Sequence, residues 1–258
     1  GATSASYSIA SAAPGDSGDY SVELTNAAGT LISETAQLFV APGPHLVAPD
    51  FTAAPSFNGA IYAIEVLDDG TAIVAGNFTT VDGTSAPYLV KLDATGAVAP
   101  ITFAAPNSSV TAIAVQPDGK ILIGGAFSTV GGTNSRALAR LNADGSVDTA
   151  FAGEIGLNFP LYSSIADIAL LSDGRIAVGG KFSPYGVSPF PRHVMLLNPD
   201  GTPDPDFSPQ LTTGSVSVRV TALEVDAQDR ILIGGFFEYA GASRIARLLD
   251  DGSRDLSF

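Results

Sequence analysis

Hydrophobic residues in most of the chain form short runs, separated by turns rich in glycine, aspartate and asparagine. Residues 110–115 form one such run, Asp118 and Gly119 follow it, and residues 120–127 form a second run that is almost entirely apolar. Asp-Gly favours a hairpin turn because both central residues of that turn need positive φ. A strand without polar alternation is covered on both faces, as in sheets that stack face to face.

Two further strands complete the predicted unit, one at 137–142 and a short fourth between Gly145 and Phe151. The glycine pair at 124–125 removes side chains where we expect a neighbouring backbone to come close. Helical periodicity is not sustained in any part of the chain. The pattern therefore predicts an all-β fold.

This unit occurs four times along the chain. A phenylalanine ends the apolar run of each copy, at spacings of 49, 55 and 55 residues: Phe78, Phe127, Phe182 and Phe237. A second phenylalanine closes each copy: Phe103, Phe151, Phe207 and Phe258. The approximate limits of the units are 56–103, 108–151, 163–207 and 217–258. A period of about 50 residues that contains several short strands predicts β-propeller-type blades.

The first forty residues follow a different pattern, with short strands predicted at 7–9, 20–24 and 31–40. Asp16 and Tyr20, with a glycine between them, resemble the tyrosine corner of immunoglobulin-like domains. Antibody domains place a cysteine two residues after that tyrosine, where this chain has a valine. We therefore predict a bacterial-type immunoglobulin-like module without the disulfide, and an unrelated hairpin is the alternative.

The predicted organisation has three parts. Residues 1–41 are the C-terminal part of an immunoglobulin-like sandwich, 42–47 form a linker, and 48–258 hold the four propeller-type repeats. Residues 48–55 resemble a closing element, so the chain carries five closing elements but only four central strands. Unpaired strand edges and uncapped terminal repeats recruit further strands. We expect other segments of a longer parent chain, or neighbouring copies, to complete these open β edges.

The repeats resemble the bacterial delta-60 repeat family. The resemblance is strongest over 110–151, which contains Ile-Ala-Val-Gln-Pro-Asp-Gly-Lys-Ile-Leu-Ile-Gly-Gly-x-Phe and then Leu-Ala-Arg-Leu-Asn-x-Asp-Gly-Ser-Val-Asp-x-x-Phe. It extends over about 46–258, although unit one has Ala75 for the first glycine and unit four has Gln228 and Asp229 for Asp-Gly. The resemblance implies a β-propeller-like fold in large exported or surface proteins of bacteria. It implies no catalytic residues.

The charge of the chain narrows the range of partners. The formal net charge is −14, and no lysine or arginine precedes Lys91. Such a surface repels nucleic acid and anionic membranes, which are bound by clustered cations. We therefore expect no nucleic acid binding. We also expect no membrane insertion, because no apolar run is long enough to span a bilayer. The chain has no cysteine, which excludes disulfides and thiolate metal sites.

Acidic turns are the one group of residues with candidate chemistry. Oxygen ligands clustered on a turn can hold calcium, although Asp-Gly is also a preferred hairpin turn and the structural role is the favoured interpretation. The weak calcium candidates recur in three units: Asn142, Asp144 and Asp148, then Asn198, Asp200 and Asp204, then Asp250, Asp251 and Asp255. We predict no other cofactor and no catalytic residue.

Basic residues also recur at one repeat position. Units one, two and four have Lys91, Arg140 and Arg247 there, whereas unit three has Leu196. An ion pair inside each unit explains these cations better than a ligand site does.

The sequence thus favours a non-catalytic structural or adhesive module of a large bacterial extracellular or cell-surface protein, in one variant part of a fibre. A carbohydrate-binding propeller is the alternative, with glycans as partners. An enzyme that acts on polysaccharides ranks third, because no recognised catalytic arrangement is present.

Overall fold

A computed structural model describes residues 18–26, 29–33, 36–38, 53–151, 163–182, 193–209, 211, 218–239 and 242–258. Every regular element in these ranges is a β-strand, which confirms the all-β prediction. None of the described residues belongs to a helix long and apolar enough to cross a membrane. The chain divides into two compact units, Gly1–Asp50 and Phe51–Phe258. Predictions for 7–9, Asp16 and the linker at 42–47 lie outside the described residues.

Unit 1, which here means the compact unit Gly1–Asp50 and not the first sequence repeat, contains two short β-ladders. Its strands are β1 Gly18–Tyr20, β2 Glu23–Asn26, β3 Gly29–Ile32 and β4 Ala36–Leu38. β1 pairs with β4 and β2 pairs with β3, both antiparallel. The predicted strands at 20–24 and 31–40 are both interrupted, because Ser33 binds Val22 through its main-chain N–H and its side chain. Tyr20 is 36% exposed, and the immunoglobulin-like assignment stays a prediction.

In unit 2 the described residues form four three-stranded antiparallel sheets, which we number blades 1 to 4 in chain order. Blade 1 contains β5 Ile61–Val66, β6 Ala72–Gly76, β7 Thr80–Val81, β8 Thr84–Ser85 and β9 Leu89–Leu92. Blade 2 contains β10 Val110–Val115, β11 Ile121–Gly125, β12 Thr129–Val130, β13 Thr133–Asn134 and β14 Leu138–Leu141. Blade 3 contains β15 Ser164–Leu170, β16 Ile176–Lys181 and β17 Val194–Leu197. Blade 4 contains β18 Arg219–Val225, β19 Ile231–Tyr239 and β20 Ala242–Leu248.

The sheets have the strand orders β5-β6-β9, β10-β11-β14, β15-β16-β17 and β18-β19-β20. Two short hairpins, β7-β8 and β12-β13, lie between the second and third strands of blades 1 and 2, and each of their strands has two residues. Asn107 fixes the hairpin of blade 2, since its Oδ1 accepts the N–H groups of Ser128 at 2.8 Å and Thr129 at 3.1 Å. Asn58 makes the same contacts in blade 1. The sequence analysis did not predict these hairpins.

The prediction of a short fourth strand in each blade is wrong. In blade 2 it is reduced to a single bridge between Leu141 and Val147, and each other blade has one bridge at the matching place. Asp148 turns the chain away at once, because its Oδ1 accepts the N–H of Ala150 at 3.1 Å. In blade 3 the bridging residue is Pro203, which has no N–H to extend a ladder.

The central strand β11 is buried along its whole length, as its apolar run predicts. A Cβ on Gly124 would lie 2.5 Å from Cγ2 of Ile165 in the next blade. A Cβ on Gly125 would lie 2.2 Å from the carbonyl oxygen of Ser109. The glycine pair therefore permits two close approaches, one between blades and one within the blade.

Phenylalanines are buried at repeated positions of the four blades. The residues that end the central strands are at most 3% exposed: Phe78, Phe127, Phe182 and Phe237. Three closing residues are also buried: Phe103, Phe151 and Phe207. Phe258 differs, with 48% exposure.

The segments that carry the closing phenylalanines reach a turn of the next blade. Main-chain hydrogen bonds show this in two places, from Ala104 N to Gly145 O at 2.9 Å and from Ser208 N to Asp251 O at 3.0 Å. The segment before blade 1 makes the equivalent bond, from Ala53 N to Thr95 O at 3.0 Å. Neighbouring blades are therefore joined by main-chain hydrogen bonds as well as by apolar packing.

Candidate functional site

The candidate calcium residues on the turns are occupied by contacts within the turn itself. In blade 2, Oδ1 of Asp144 accepts the N–H of Ser146 at 2.9 Å and its hydroxyl at 2.6 Å. The side chain of Asn142 donates to the same hydroxyl at 2.9 Å. The hydroxyl and the N–H of Ser146 hold the pKa of Asp144 below its usual value.

The equivalent turns of blades 3 and 4 are built in the same way. Asp200 accepts the N–H and hydroxyl of Thr202, and Asn198 donates to that hydroxyl. Asp251 accepts the N–H of Ser253 at 2.8 Å. The hydroxyl and then the N–H of Thr202 lower the pKa of Asp200, and the hydroxyl and then the N–H of Ser253 lower the pKa of Asp251. Each carboxylate thus closes its own turn.

Asp148 lies in a buried ion cluster on the turn edge of blade 2. Its Oδ2 is 2.9 Å from Nζ of Lys120 and 2.9 Å from Nε of Arg140. Burial alone would raise the pKa of Asp148, but the hydrogen bonds from Lys120, the main-chain N–H of Ala150 and Arg140 lower it. Arg140 also donates to the carbonyl oxygen of Pro199 in blade 3 at 2.6 Å. The cluster therefore ties two blades together.

Blade 3 replaces the second cation by Leu196, and Arg175 binds three carboxylates instead. Its guanidinium lies 2.6 Å from Asp173, 3.2 Å from Asp204 and 2.5 Å from Asp250 of blade 4. Although burial opposes it, the hydrogen bonds that Arg175 donates to these carboxylates raise its pKa above the usual value. This cluster also crosses a blade interface.

Blade 4 repeats the arrangement of blade 2. Asp255 accepts from Arg247 at 2.8 Å, and Arg230 lies 3.6 Å from the same oxygen. Hydrogen bonds from the hydroxyl and N–H of Ser257, followed by those from Arg247, lower the pKa of Asp255 to about 2. Arg247 and Arg230 both approach Asp226 as well.

The predicted ion pair is present for Arg140 and Arg247, but Lys91 departs from the pattern. Blade 1 has Ala99 where the other blades have the closing aspartate. Among the described residues no carboxylate lies within ion-pair distance of Lys91. Blade 1 therefore lacks the acid that completes the cluster.

The nine candidate calcium ligands do not come together. Within the described ranges, no three histidine, aspartate or glutamate side chains group as metal ligands. Each candidate has a hydrogen-bond or ion-pair partner in its own turn or cluster. Calcium binding stays a prediction with its own test.

A shallow cavity of about 100 Å³ lies beside the ion cluster of blade 2. Its lining consists of Thr133, Ser135, Leu138, Ala139, Arg140, Val147, Asp148, Thr149 and Phe151. The charged groups on its wall, Arg140 and Asp148, already neutralise each other. The guanidinium also lies 4.5 Å from the ring centre of Phe151. The cavity thus offers small polar contacts but no unpaired charge.

At or near the start of the third strand of each blade, one position has the same backbone conformation but a different side chain. We call this position the variable corner. Its residue has positive φ, between 62° and 77°, in every blade: Tyr88, Ala137, His193 and Arg244. In the first three blades its carbonyl accepts the N–H of the second glycine of the central strand. Non-glycine residues with positive φ are uncommon and are concentrated at functional sites.

The variable corner of blade 4 is cationic and aromatic. Phe236 is 40% exposed, and the guanidinium carbons of Arg219 and Arg244 lie 4.2 Å and 4.8 Å from its ring centre. Blade 3 has Lys181 where blade 4 has Phe236. A local group of cations is unusual on a chain with a net charge of −14.

The first strand of blade 3 contains a half-buried acid that no other blade shares. Asp167 follows a bulge in β15, and its Oδ2 accepts the N–H of Leu223 in blade 4 at 2.7 Å. Its Oδ1 accepts the N–H of Ile168. Burial, and to a smaller extent the charge of Glu224, raises the pKa of Asp167.

Comparison with known families identifies the repeats. A family model described as "Domain of unknown function (DUF5122) beta-propeller" matches 67–98, 116–151, 171–207 and 229–258, just over half of the chain. The chain belongs to this family. Each DUF5122 match contains the central strand, the third strand and the second turn of one blade. The β-propeller prediction is thereby confirmed.

No curated protein matches this DUF5122 chain in sequence. Among solved structures, the computationally designed Ika4 protein is 14% identical, with a TM-score of 0.42 over 74% of this chain and 92% of that chain. A streptogramin B lyase is 13% identical, with a TM-score of 0.46 over 78% of this chain and 57% of the lyase. PorZ, a surface component of the type-IX secretion system of Porphyromonas gingivalis, is 14% identical, with a TM-score of 0.37 over 72% of this chain and 25% of PorZ. Scores this low support no conclusion about the function of the DUF5122 chain.

Two features of the DUF5122 blades were missed in the sequence. The cation after the first turn was overlooked, although Lys120, Arg175 and Arg230 stand at one repeat position. Asp229 was noted only as a departure from Asp-Gly. It has a φ of 57°, and its carboxylate accepts hydrogen bonds from the N–H and hydroxyl of Ser172 in blade 3. The aspartate that stands in place of the glycine therefore makes a contact between blades.

Proposed function

We propose that this DUF5122 propeller is a non-catalytic structural or adhesive module of a large bacterial extracellular or cell-surface protein. The main support is the use of its polar side chains. Arg140 binds a carbonyl of the next blade, Arg175 binds a carboxylate of the next blade, and Asp229 caps a turn of the preceding blade. These groups hold blades together and are not left free for chemistry.

The resemblance to delta-60 repeats supports the extracellular setting, because that family is found in exported and surface proteins. In this proposal unit 1 is the end of an immunoglobulin-like module that precedes the propeller. Open β edges are completed by other parts of the parent chain or by neighbouring copies. Neither nucleic acid nor a membrane interior is a partner in this proposal.

A turnover assay tests the proposal. The purified chain is incubated with neutral and acidic polysaccharides, with and without calcium, and new reducing ends or unsaturated products are measured. We expect no product above the level of a heat-denatured sample. Product that disappears when Asp148 or Asp255 is changed to alanine, in a variant that remains folded, would contradict a non-catalytic role.

A carbohydrate-binding propeller is the second candidate, and the variable corner of blade 4 favours it. An exposed aromatic ring such as that of Phe236 can stack on a sugar, and the guanidinium groups of Arg219 and Arg244 can bind its carboxylate or sulfate. The ligand class would be an acidic glycan.

A glycan array distinguishes the second candidate. If the corner binds glycans, the chain retains acidic glycans, and Arg219→Ala with Arg244→Ala abolishes the signal. Lys91→Ala is the matched control, because it removes a positive charge in blade 1. Equal loss in the control would indicate a general charge effect, and no signal at all would remove this candidate.

A further inference from the structure

The cavity beside the ion cluster of blade 2 has an unused hydrogen-bond donor on its wall. Arg140, which is 8% exposed, donates from Nε to Asp148 and from Nη1 to Gln116 and to the carbonyl oxygen of Pro199. Its Nη2 donates to none of the residues that the structure describes. The charge of Arg140 is thus paired with Asp148, while the two N–H groups on Nη2 keep no partner.

Blade 4 shows how the same donor is used when an acceptor is present. Arg247 stands at the position of Arg140, and its Nη2 donates to the hydroxyl of Ser257 at 3.2 Å and lies 2.6 Å from Oδ2 of Asp255. The hydroxyl in turn donates to Oδ1 of Asp255 at 2.7 Å. Blade 2 has Ala150 at the position of Ser257. The unused donor of Arg140 therefore results from one difference between the two repeats.

A buried hydroxyl lines the same cavity and also has no partner. Ser135 is 3% exposed, and its hydroxyl makes no hydrogen bond within the described ranges. Blade 1 has Ala86 at this position, so the fold does not require the hydroxyl. Thr133 and Thr149 place two further hydroxyls in the lining, again without a partner in the described part of the chain. Buried polar groups are costly when they are left unpaired, so these groups indicate a polar ligand.

The polar groups of the wall favour an anionic ligand. The carboxylate of Asp148 already accepts hydrogen bonds from Lys120, from Arg140 and from the main-chain N–H of Ala150. Two cations therefore share one acid, and the unused groups of the wall are hydroxyls and a guanidinium N–H pair, all of which can donate. A guanidinium binds a carboxylate through short, charge-assisted hydrogen bonds.

The size of the cavity limits the part of the ligand that enters. An apolar cavity of about 150 Å³ holds a benzene molecule. The cavity of blade 2, with about 100 Å³, therefore has room for a carboxylate and the carbon and hydroxyl next to it. Because the cavity is shallow, the rest of a larger ligand can remain outside.

We propose that this cavity binds the carboxylate of a hydroxy acid, with a carboxylate oxygen on Nη2 of Arg140 and the neighbouring hydroxyl of the ligand on Ser135. Acidic sugars and free hydroxy acids share this chemistry. The site shares no residue with the variable corner of blade 4. The inference therefore goes beyond the proposed structural role and does not rest on it.

Titration calorimetry of the full chain with glucuronate, glycolate and glucose is the first test. We expect saturable binding of at least one of the two acids and none of glucose, which lacks the carboxylate. Binding of glucuronate alone would identify an acidic sugar, whereas binding of glycolate would identify the hydroxy acid group as sufficient, and both results support the proposal. Absence of binding for both acids, or equal binding of glucose, would overturn it.

Two variants test the binding groups, and the fold already accepts both side chains at these repeat positions. Ala150→Ser supplies the acceptor that Ser257 provides in blade 4, so it should occupy Nη2 and weaken binding about tenfold, as for loss of one charge-assisted hydrogen bond. Ser135→Ala copies Ala86 of blade 1 and should weaken binding about threefold, as for loss of a neutral hydrogen bond. Unchanged affinity in Ala150→Ser would overturn the assignment of Arg140.

Controls separate this site from the rest of the molecule. Ala143→Ser adds the same hydroxyl to an exposed alanine outside the cavity, so its affinity should equal that of wild type. Arg219→Ala with Arg244→Ala should also leave the affinity unchanged. Binding that is lost in this double variant but retained in Ala150→Ser would place the ligand at the variable corner and overturn the proposal. A chain that binds neither acid would still leave the structural role in place.

Discussion

Asp148 is a buried acid and Asp167 a half-buried acid in neighbouring blades, but their surroundings shift their pKa values in opposite directions. Two cations and a main-chain N–H surround Asp148 and keep its pKa low. Asp167 accepts two main-chain N–H groups without a cation, so burial dominates and raises its pKa. The charged form of Asp148 therefore stabilises the folded state, whereas the charged form of Asp167 destabilises it.

The pH dependence of two asparagine variants follows from these directions. A lowered pKa stabilises the fold above the unfolded value of about 4, and this contribution is lost as the pH falls further. Asp148→Asn should lower the free energy of unfolding at pH 7 by about 3 kcal/mol, as for loss of one partner of a buried ion pair. The deficit should shrink below pH 4, because the wild-type acid is then protonated as well.

Asp167→Asn should have the opposite sign. A raised pKa means that the charged acid costs stability at pH values above it, and an asparagine keeps an acceptor for the N–H of Leu223 without the charge. We expect a higher melting temperature than wild type at pH 7 and no difference at low pH. Thermal melts across the pH range measure both variants, and equal signs at pH 7 would contradict the assignment of causes.

Calcium provides a separate test of the acidic turns. Since the candidate carboxylates already close turns and ion clusters, we expect a chelator to leave the melting temperature unchanged. Binding to the native state raises stability with ligand concentration. A loss of more than about 5 °C in chelator, restored by calcium, would show that Asp144, Asp200 or Asp251 binds the ion.

At the scale of the elements, the central phenylalanines should carry much of the blade stability. Phe127 is 2% exposed, and Phe127→Ala should cost about 3–5 kcal/mol in chemical denaturation. Phe258→Ala is the control, because its ring is 48% exposed. The control should cost less than about 1 kcal/mol. Similar costs for both would mean that the repeat positions do not share a core.

The close approach at Gly124 predicts a second contrast between equivalent residues. Gly124→Ala forces its new Cβ against Ile165, and overpacking of this kind costs about 1–3 kcal/mol. Gly234→Ala has no such neighbour, so it should change stability by less than about 0.5 kcal/mol. Urea unfolding of both variants measures the difference, and equal costs would indicate that the strand backbone, and not the contact with Ile165, sets the penalty.

The elements differ in how far sequence could predict them. β10 coincides with the predicted strand at 110–115, because its apolar run and the Asp-Gly turn agree. The hairpin of β12 and β13 was missed, since strands of two residues carry no periodicity. The fourth strand was predicted from its length, but the side chain of Asp148 ends it after one bridge.

The ion clusters show the same limit. The pair of Arg140 with Asp148 was predictable in kind, since both recur within single units. The contact of Arg175 with Asp250 was not, because it depends on the distance between two blades and joins positions 75 residues apart. The repeats in the sequence therefore predict ion pairs within a blade. Ion pairs between blades depend on how the blades stack, which the sequence does not show.

For the whole molecule, the two units should differ in local stability. β11 and β16 are central strands covered on both faces, whereas β2 and β3 expose Leu24 and Ile32 by 65% and 61%. Hydrogen exchange should therefore be slowest in β11 and β16 and fast in the β2-β3 hairpin. Mass spectrometry of peptides from both units measures this, and uniform protection would show that the chain opens as one cooperative block.

The variable corner has a consequence for protein engineering. Tyrosine, alanine, histidine and arginine are already accepted at one backbone position of four stacked blades: Tyr88, Ala137, His193 and Arg244. The fold therefore tolerates side chains of very different size and charge there. Ala137 is 1% exposed and lies in the core, so it stays fixed. A library randomised at Tyr88, His193 and Arg244, which are not fully buried, would vary three side chains on a constant frame, and selection from it would turn a repeat scaffold into a family of binders.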